Sequence, residues 1–292
     1  MVAQRHPAYS AEQKTYMSGV RIGPAILKRL WIGVLLVIAV ASLLSAMRYL
    51  RPAQNTDLPK LGLMTSLPLQ WSEGGIEAAI ALGAAPHPAY ARLAEKYDIV
   101  SVDDLTGLDR SDFPTLLLAQ PRAFSPDEFV RLDAWVRQGG RLLVLADPAL
   151  QWGSLYSLGD KRRPLFTSLL SPLFSHWGIE LVLPLTEKLP LVEIDVDGVP
   201  IRTQTLGAWQ TNKGRANALC TIAENQFVAD CNVGKGRALL VADADFLDSA
   251  YWQGQGLRSV AGRDEFDNMA WVTALLSALA TDNKTARDFL GK

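Results

Sequence analysis

Apolar positions along this chain fall into short strand-like runs that alternate with helix-like stripes. Runs of mainly apolar residues bounded by turn-forming residues are typical of strands buried in a parallel sheet. The strongest such runs cover residues 60–66, 115–120, 141–148 and 237–246. Because helical patterns separate most of these runs, the chain is predicted to form an α/β domain with a mostly parallel sheet.

The clearest predicted helix begins after Ser125. Pro126 occupies the first helical position, and Glu128 completes a capping-box pattern with Ser125. An apolar stripe follows at helical spacing, and the pair Gly139 and Gly140 ends the helix. Further predicted elements are the end of a helix at 91–97, a strand at 98–102, a helix around Leu165 to Phe174, a strand at 179–185 and a final helix at 268–280.

The middle of the chain, about 186–236, has a different pattern. Apolar and polar residues alternate on both sides of Asp197 and Gly198, which is a hairpin signal. A second pair of strand-like stretches follows before Gly236. This segment is predicted to be an antiparallel, β-rich extension of the sheet or a small inserted subdomain.

An uncharged, apolar run extends from Leu30 to Met47, between Arg29 and Arg48. A helix of this length nearly spans a hydrocarbon core of about 30 Å. A cleaved signal peptide is the alternative, but 29 residues precede the run and no good small-residue cleavage site follows it. We therefore expect an uncleaved, single-pass membrane anchor.

Lysine and arginine are slightly more frequent before this run than after it, which favours a cytoplasmic N-terminus. The expected location is a bacterial inner membrane with the C-terminal domain in the periplasm. The predicted organisation is a cytoplasmic tail at 1–29, a transmembrane helix at 30–50, a stalk at 51–60 and a periplasmic domain at 61–292.

The charge balance limits the class of partner. Lysine and arginine number 29, aspartate and glutamate number 30, and the net charge is −1. Proteins that bind nucleic acid usually carry a basic excess that neutralises phosphates. Nucleic acid is therefore not an expected partner. A hydrophobic fraction of 49% with eight tryptophans fits a well-packed domain plus one membrane segment.

Cys220 and Cys231 lie in two strand-like stretches that could form a hairpin centred between Asn225 and Gln226. In that register the two cysteines are directly opposite each other, within disulfide range. A disulfide would require an oxidising compartment, which agrees with a periplasmic domain. The alternative is a pair of buried, unlinked thiols. A metal site is not expected, because no histidine or further cysteine lies nearby.

A candidate ligand crevice follows from the predicted parallel strands, because ligands of open α/β sheets bind outside the carboxyl ends of the strands. Carboxylates there could hold a metal or a hydroxylated ligand such as a sugar. Alternatively, Asp147 and Asp245 cap the turns that follow their strands. The candidate crevice residues are Ser66, Trp71, Gln120, Asp147, Asp243 and Asp245.

Covalent catalysis is not expected. A glutamine amidotransferase needs a cysteine on a sharp strand-to-helix turn, and both cysteines lie in the β-rich middle instead. The histidines His6, His87 and His176 are not placed like a base beside a nucleophile. Ser66 ends a strand but lacks the G-x-S-x-G elbow motif. No catalytic residue, cofactor or bound metal is therefore assigned.

Three segments together resemble a known family: AEKYDIVSVDDLTGLDRSDFPTLLLAQP, FSPDEFVRLDAWVRQGGRLLVLADP and GKGRALLVADADFLD. They are similar to the gliding-motility-type auxiliary component of ABC transporters. This resemblance covers about residues 61–280. It implies a flavodoxin-like fold of the class I glutamine-amidotransferase type.

The resemblance implies a non-catalytic accessory or binding component of an ABC-type transport or envelope machine, with a permease or envelope protein as partner. Two alternatives remain open from the sequence. One is a periplasmic hydrolase or sugar-modifying enzyme on the same fold. The other is a receptor for a small polar solute.

Overall fold

The computed structural model describes residues 33, 36–39, 42, 58–71, 73, 85–185, 191–196, 198–212, 216–254 and 264–281. The chain divides into two compact units, Met1–Asp57 and Leu58–Lys292. All six described residues of the first unit are α-helical. Among the described residues, no helix has both the length and the apolar character needed to cross a membrane. The predicted tail and most of the predicted transmembrane helix and stalk lie outside the described residues.

The second unit contains eleven described strands and five described α-helices. The strands are β1 (Lys60–Thr65), β2 (Asp98–Ser101), β3 (Thr115–Ala119), β4 (Arg141–Leu145), β5 (Ile179–Val182), β6 (Leu191–Val196), β7 (Val199–Gln204), β8 (Ala208–Thr211), β9 (Leu219–Ile222), β10 (Val228–Val233) and β11 (Gly236–Val241). The helices are α1 (Pro88–Ala94), α2 (Pro126–Arg137), α3 (Ser171–Trp177), α4 (Ser249–Trp252) and α5 (Asn268–Thr281).

The main sheet has seven strands in the order β2-β1-β3-β4-β11-β10-β9. The five strands from β2 to β11 pair in parallel, whereas β10 and β9 continue the sheet in antiparallel fashion. With β11 counted as the fifth parallel strand, the order 2-1-3-4-5 is that of flavodoxin-like doubly wound sheets. The prediction of a mostly parallel sheet with an antiparallel extension is confirmed.

The predicted β-rich middle contributes to three separate sheets. Strands β9 and β10 extend the main sheet, while β6 and β7 form a two-stranded hairpin of their own. Strand β8 pairs with β5, which precedes the predicted extension in the sequence. The middle of the chain is therefore both an extension of the main sheet and a set of small additional ribbons.

The core lies around the central strands. Every residue of β3 and of β11 is buried, and consecutive buried residues on a strand mean that both faces of the sheet are covered. Helix α2 packs against β10 and β11, and helix α5 packs against β3, β4 and β11. The continuous apolar runs of the sequence are thus explained by burial on both faces.

Helix α2 has the predicted start and end. The Glu128 amide donates to Ser125 Oγ at 3.3 Å, and the Ser125 amide donates to Glu128 Oε2 at 2.9 Å. Arg122 Nη2 forms an ion pair with Glu128 Oε1 at 2.6 Å. This hydrogen-bonded contact is the main cause of the lowered Glu128 pKa of about 2. After the helix, Gly140 lies against the Trp135 ring, where a Cβ atom would clash. The predicted capping box is confirmed.

The helix predicted around Leu165 to Phe174 is placed too early in the sequence. Helix α3 begins at Ser171, because the backbone before it is bonded to other loops. The Leu165 carbonyl accepts from Gln120 Nε2 at 2.9 Å, and the Phe166 carbonyl accepts from the Leu150 amide at 2.8 Å. These carbonyls have partners outside the helix, and the preceding residues form an ordered loop.

The predicted disulfide is present. Cys220 on β9 is directly opposite Cys231 on β10, with Cα atoms 4.0 Å apart and the sulfurs bonded. The hairpin register is centred between Asn225 and Gln226, as predicted, and Gln226 adopts a positive φ of 58° in the turn. The cross-link joins the outermost strand of the sheet to its neighbour.

Replacing Cys220 by serine is expected to lower the free energy of unfolding by about 3 kcal/mol, because the bond restricts the unfolded chain. Urea denaturation under non-reducing conditions measures the loss. A reducing agent should weaken the native chain by a similar amount and leave the Cys220→Ser variant unchanged. If the unsubstituted chain is unfolded without reducing agent and two thiols then react freely, the disulfide is absent and the prediction is wrong.

Candidate functional site

Five of the six predicted crevice residues meet at the carboxyl edge of the parallel strands. Ser66 follows β1, Gln120 follows β3, Asp147 follows β4, and Asp243 and Asp245 follow β11. A chain of hydrogen bonds connects four of these residues across the edge. Ser66 Oγ donates to the Gln120 carbonyl at 2.5 Å, and Gln120 Oε1 accepts from the Asp147 amide at 2.9 Å. Asp147 in turn accepts from the Asp245 amide at 3.3 Å.

Gln120 is the central residue of this hydrogen-bonded chain. It is fully buried and has a positive φ of 42°, a conformation that is uncommon for a residue other than glycine. Its side-chain oxygen accepts from Asp147, and its side-chain nitrogen donates to the Leu165 carbonyl. Both ends of the amide are therefore used to connect β3 to the long loop after β4.

Asp147 is fully buried and accepts hydrogen bonds from three backbone amides. Its Oδ1 accepts from Ala149 at 2.7 Å, and its Oδ2 accepts from Ala244 at 3.1 Å and from Asp245 at 3.3 Å. The first bond caps the turn after β4, and the other two bind the loop after β11. One carboxylate thus holds together loops almost a hundred residues apart in sequence.

The other two carboxylates are also fully buried and bonded. Asp243 Oδ2 accepts from Thr203 Oγ1 at 2.8 Å, and its Oδ1 accepts from the Phe246 amide at 3.2 Å. Both carboxylate oxygens of Asp245 lie within hydrogen-bond distance of the Gln151 amide, at 2.9 and 3.0 Å. Each carboxylate therefore fastens a loop or strand to the edge of the sheet.

Burial dominates the electrostatics of this cluster. It raises the pKa of Asp147 to about 6. Burial, with a smaller contribution from repulsion by Asp147, raises the pKa of Asp245 to about 8. The same two causes raise the pKa of Asp243 well above its ordinary value. Near neutral pH the cluster consequently holds fewer negative charges than its three carboxyl groups could carry.

Trp71, the sixth predicted residue, lies apart from the cluster on the surface, with 46% of its area exposed. Its loop is connected to the loop after β4, because Glu73 Oε2 accepts a hydrogen bond from the Leu155 amide. The structure therefore brings together the polar residues at the strand ends and leaves the aromatic one outside.

The two described histidines have other roles. His87 Nδ1 accepts from the Ala89 amide at 3.2 Å at the start of α1, and its ring packs 5.2 Å from that of Trp152. Burial lowers the His87 pKa. His176 lies on α3 with Nε2 3.7 Å from Asp133 Oδ2. In the part of the chain that the structure describes, no group of three His, Cys, Asp or Glu residues has a metal-binding arrangement.

Surface cavities lined by described residues also lie elsewhere, and none of the six predicted crevice residues lines either of two such cavities. A cavity of about 610 Å³ follows the outer edge of β9, between Trp177 and Cys220. A cavity of about 400 Å³ follows the end of β2, near Lys60 and Asp103. Sequence reasoning missed both, because each is formed by segments whose contact depends on the tertiary fold.

Residues 58–183 match the family described as an ABC-type uncharacterized transport system. This match supports the prediction of an auxiliary component of an ABC transporter. No curated protein sequence matches the chain.

Several solved structures resemble the chain at low identity. The exo-beta-1,4-mannosidase Op5Man5 from Opitutaceae bacterium strain TAV5 has 16% identity and a TM-score of 0.42, over 76% of this chain and 36% of that one. A beta-galactosidase from Rahnella sp. R3 has 18% identity and a TM-score of 0.35, over 64% and 30%. A ThuA-like protein from Bacteroides uniformis has 11% identity and a TM-score of 0.34, over 82% and 99%. The chain spans about a third of the length of the two glycosidase chains.

The family match and the carboxyl-edge cluster overlap only in part. The matched span includes β1 to β5, and with them Ser66, Gln120 and Asp147. Asp243 and Asp245 lie outside it. The auxiliary-component sequence pattern therefore covers the part of the edge that carries Gln120, while the loop bound by Asp147 comes from the rest of the chain.

Proposed function

We propose that this chain is a membrane-anchored, non-catalytic accessory component of an ABC-type transport system. The observation that carries the proposal is the match of residues 58–183 to an ABC-type transport family. In this role the domain at 61–292 binds a permease or another envelope protein of the same machine.

The arrangement of the carboxyl edge supports a role without catalysis. A glutamine amidotransferase carries its nucleophilic cysteine on a strained turn at the end of a strand. Here the positive-φ residue at the end of β3 is Gln120, and its amide group is hydrogen-bonded at both ends. The Ser66 hydroxyl donates to a backbone carbonyl, and the three carboxylates accept backbone or threonine hydrogen bonds. These groups stabilise loops, which accounts for their burial.

Two observations favour anchoring with the domain in the periplasm. The run from Leu30 to Met47 is uncharged, and the described side chains Leu36, Val37 and Ile38 are 55–68% exposed, so that lipid would cover them. The Cys220–Cys231 disulfide is typical of an oxidising compartment such as the periplasm.

The full chain, extracted from membranes in mild detergent, is expected to co-purify with the permease and ATP-binding subunits of one ABC transporter. Mass spectrometry identifies the bound proteins. Residues 1–57 alone should not retain these subunits, because the proposed binding surface lies in the second unit. Recovery of no transporter subunit, or equal recovery with the 1–57 fragment, would contradict the proposal.

A reporter enzyme that is active only in the periplasm, fused after Lys292, is expected to be active. The reason is the slight excess of positive charge before the apolar run, which favours a cytoplasmic N-terminus. The same fusion with a reporter that is active only in the cytoplasm serves as the control and should be silent. The opposite pattern at equal expression would reverse the proposed orientation.

A further inference from the structure

The loop from Leu150 to Leu170, between β4 and α3, exposes large apolar side chains. Leu155 is 88% exposed, Leu158 is 82% exposed and Phe166 is 59% exposed. Single exposed leucines are ordinary on protein surfaces, but several in one long loop indicate an interaction surface. The neighbouring loop, which is bonded to this one through Glu73, adds the exposed ring of Trp71.

Hydrogen bonds hold this loop in one conformation. Arg163 donates to the Tyr156 carbonyl at 2.6 Å, and the Gln151 amide is bound by Asp245. Near the other end of the loop, the Ser168 amide donates to the Asp147 carbonyl at 2.7 Å. The apolar side chains are therefore presented on an ordered backbone, and a partner does not have to pay the full entropy of ordering the loop.

The tip of the loop is basic. Lys161, Arg162 and Arg163 follow one carboxylate, Asp160, which pairs with Arg162 at 2.7 Å. The Arg162 guanidinium also lies 4.1 Å from the centroid of the Tyr156 ring. Lys161 and Arg163 form no ion pair among the described residues, so the tip carries an excess of positive charge beside exposed leucines.

We propose that this loop, with Trp71, docks on the anionic headgroup surface of a lipid bilayer. The combination of charges and apolar groups carries the assignment. Apolar side chains such as leucine, with tryptophan at the interface, enter the boundary between headgroups and acyl chains. Lysine and arginine beside them bind lipid phosphates. A net charge of −1 for the whole chain makes the basic tip a local feature and not a general property.

The proposal rests on the membrane anchoring proposed above, which keeps the domain close to a bilayer. Residues 51–59 can extend over at most about 30 Å, whereas strand β1 spans about 20 Å. The linker is thus long enough for the carboxyl edge of the sheet to reach a surface to which the chain is tethered. Docking of this loop would fix the orientation of the domain towards its transporter partner.

The test places a photoreactive benzophenone amino acid at position 158 of the full chain, reconstituted in phosphatidylcholine nanodiscs with or without phosphatidylglycerol. After illumination, mass spectrometry measures lipid adducts at that position. Adducts are expected at 158 and should be more abundant with the anionic lipid. The additional substitution Lys161→Ala should lower the yield about fivefold, the effect of one cation near an anionic surface.

Position 130 is the matched control, because Val130 on α2 is also an exposed apolar residue, with 68% exposure. A benzophenone there should give few lipid adducts. Equal yields at the two positions, or yields at 158 that ignore both lipid charge and Lys161→Ala, would overturn the proposal. Adducts at 158 to protein instead of lipid would also overturn it. Alkaline extraction tests the anchor separately, because an anchored chain stays in the membrane fraction. If the chain is extracted, lipid adducts at position 158 can still be measured after anionic vesicles are added to the chain.

Discussion

Replacing Asp147 by alanine is expected to lower the free energy of unfolding by about 4 kcal/mol. The carboxylate is fully buried and accepts from the amides of Ala149, Ala244 and Asp245. Each buried amide that loses its acceptor costs about 1–3 kcal/mol, and a small cavity adds to the loss. Urea denaturation at neutral pH measures the change.

Asp248→Ala is the matched control for this experiment. Asp248 also accepts a backbone hydrogen bond, from the Ala250 amide at 2.9 Å, but at the exposed start of α4. Its removal should cost about 1 kcal/mol, as for an ordinary helix cap. Equal losses for the two variants would mean that Asp147 is only a local turn cap and does not hold the β11 loop to the sheet.

The parts of the fold that the sequence predicted well depend on local patterns. Strands β3, β4 and β11 were found because burial on both faces requires a continuous apolar run. The start of α2 was found because the Ser125 and Glu128 capping box needs only residues within one turn. The disulfide was predicted from the number of residues between the two cysteines, because the register of a hairpin fixes which residues lie opposite each other.

The elements that were misplaced depend on distant contacts. Residues 165–170 have a composition that suits a helix, but their backbone is bonded to Gln120, Leu150 and Asp147. The pairing of β8 with β5 was also missed, because neither short strand has a pattern that selects its partner. Such pairings are decided by the packing of the whole domain.

The same division applies to the carboxyl edge. Parallel strands end at one edge, so the sequence alone predicted that Gln120, Asp147 and Asp243 lie near one another. The partners of these side chains were beyond prediction. Gln151, which binds Asp245, is 94 residues away in sequence, and Asp243 uses a hydroxyl from β7. Whether a carboxylate faces solvent or a buried amide decides between a ligand site and a structural bond.

The buried carboxyl groups predict an unusual dependence of stability on pH. The folded-state pKa of Asp245 is raised to about 8, mainly by burial, from an ordinary value of 3.8. Folding therefore favours the protonated form, and the stability that this proton contributes is present below about pH 4. It is lost as the pH rises through about 8. The raised pKa of Asp147, about 6, acts in the same direction.

The experiment compares the free energy of unfolding of the native chain with that of an Asp245→Asn variant across about pH 4 to 9. The neutral amide does not titrate, so the native chain should lose stability relative to the variant as the pH rises. The relative loss is on the order of 4 kcal/mol, from 1.36 kcal/mol per pKa unit with an allowance for coupling to Asp147. Urea denaturation at each pH measures both proteins.

Other groups that titrate in this range are present in both proteins, so their contributions to stability largely cancel in the comparison. Burial lowers the pKa of His87, which alone would make the folded chain less stable at acid pH, but His87 is present in both proteins. Whether the remaining difference in stability changes between about pH 4 and 8 decides which force controls Asp245. If the hydrogen bond from the Gln151 amide outweighed the cost of burying a charge, the Asp245 pKa would be depressed. A depressed pKa affects stability only below about pH 4, so the native chain and Asp245→Asn would then differ by a nearly constant amount from about pH 4 to 9, and the expected relative loss would be absent.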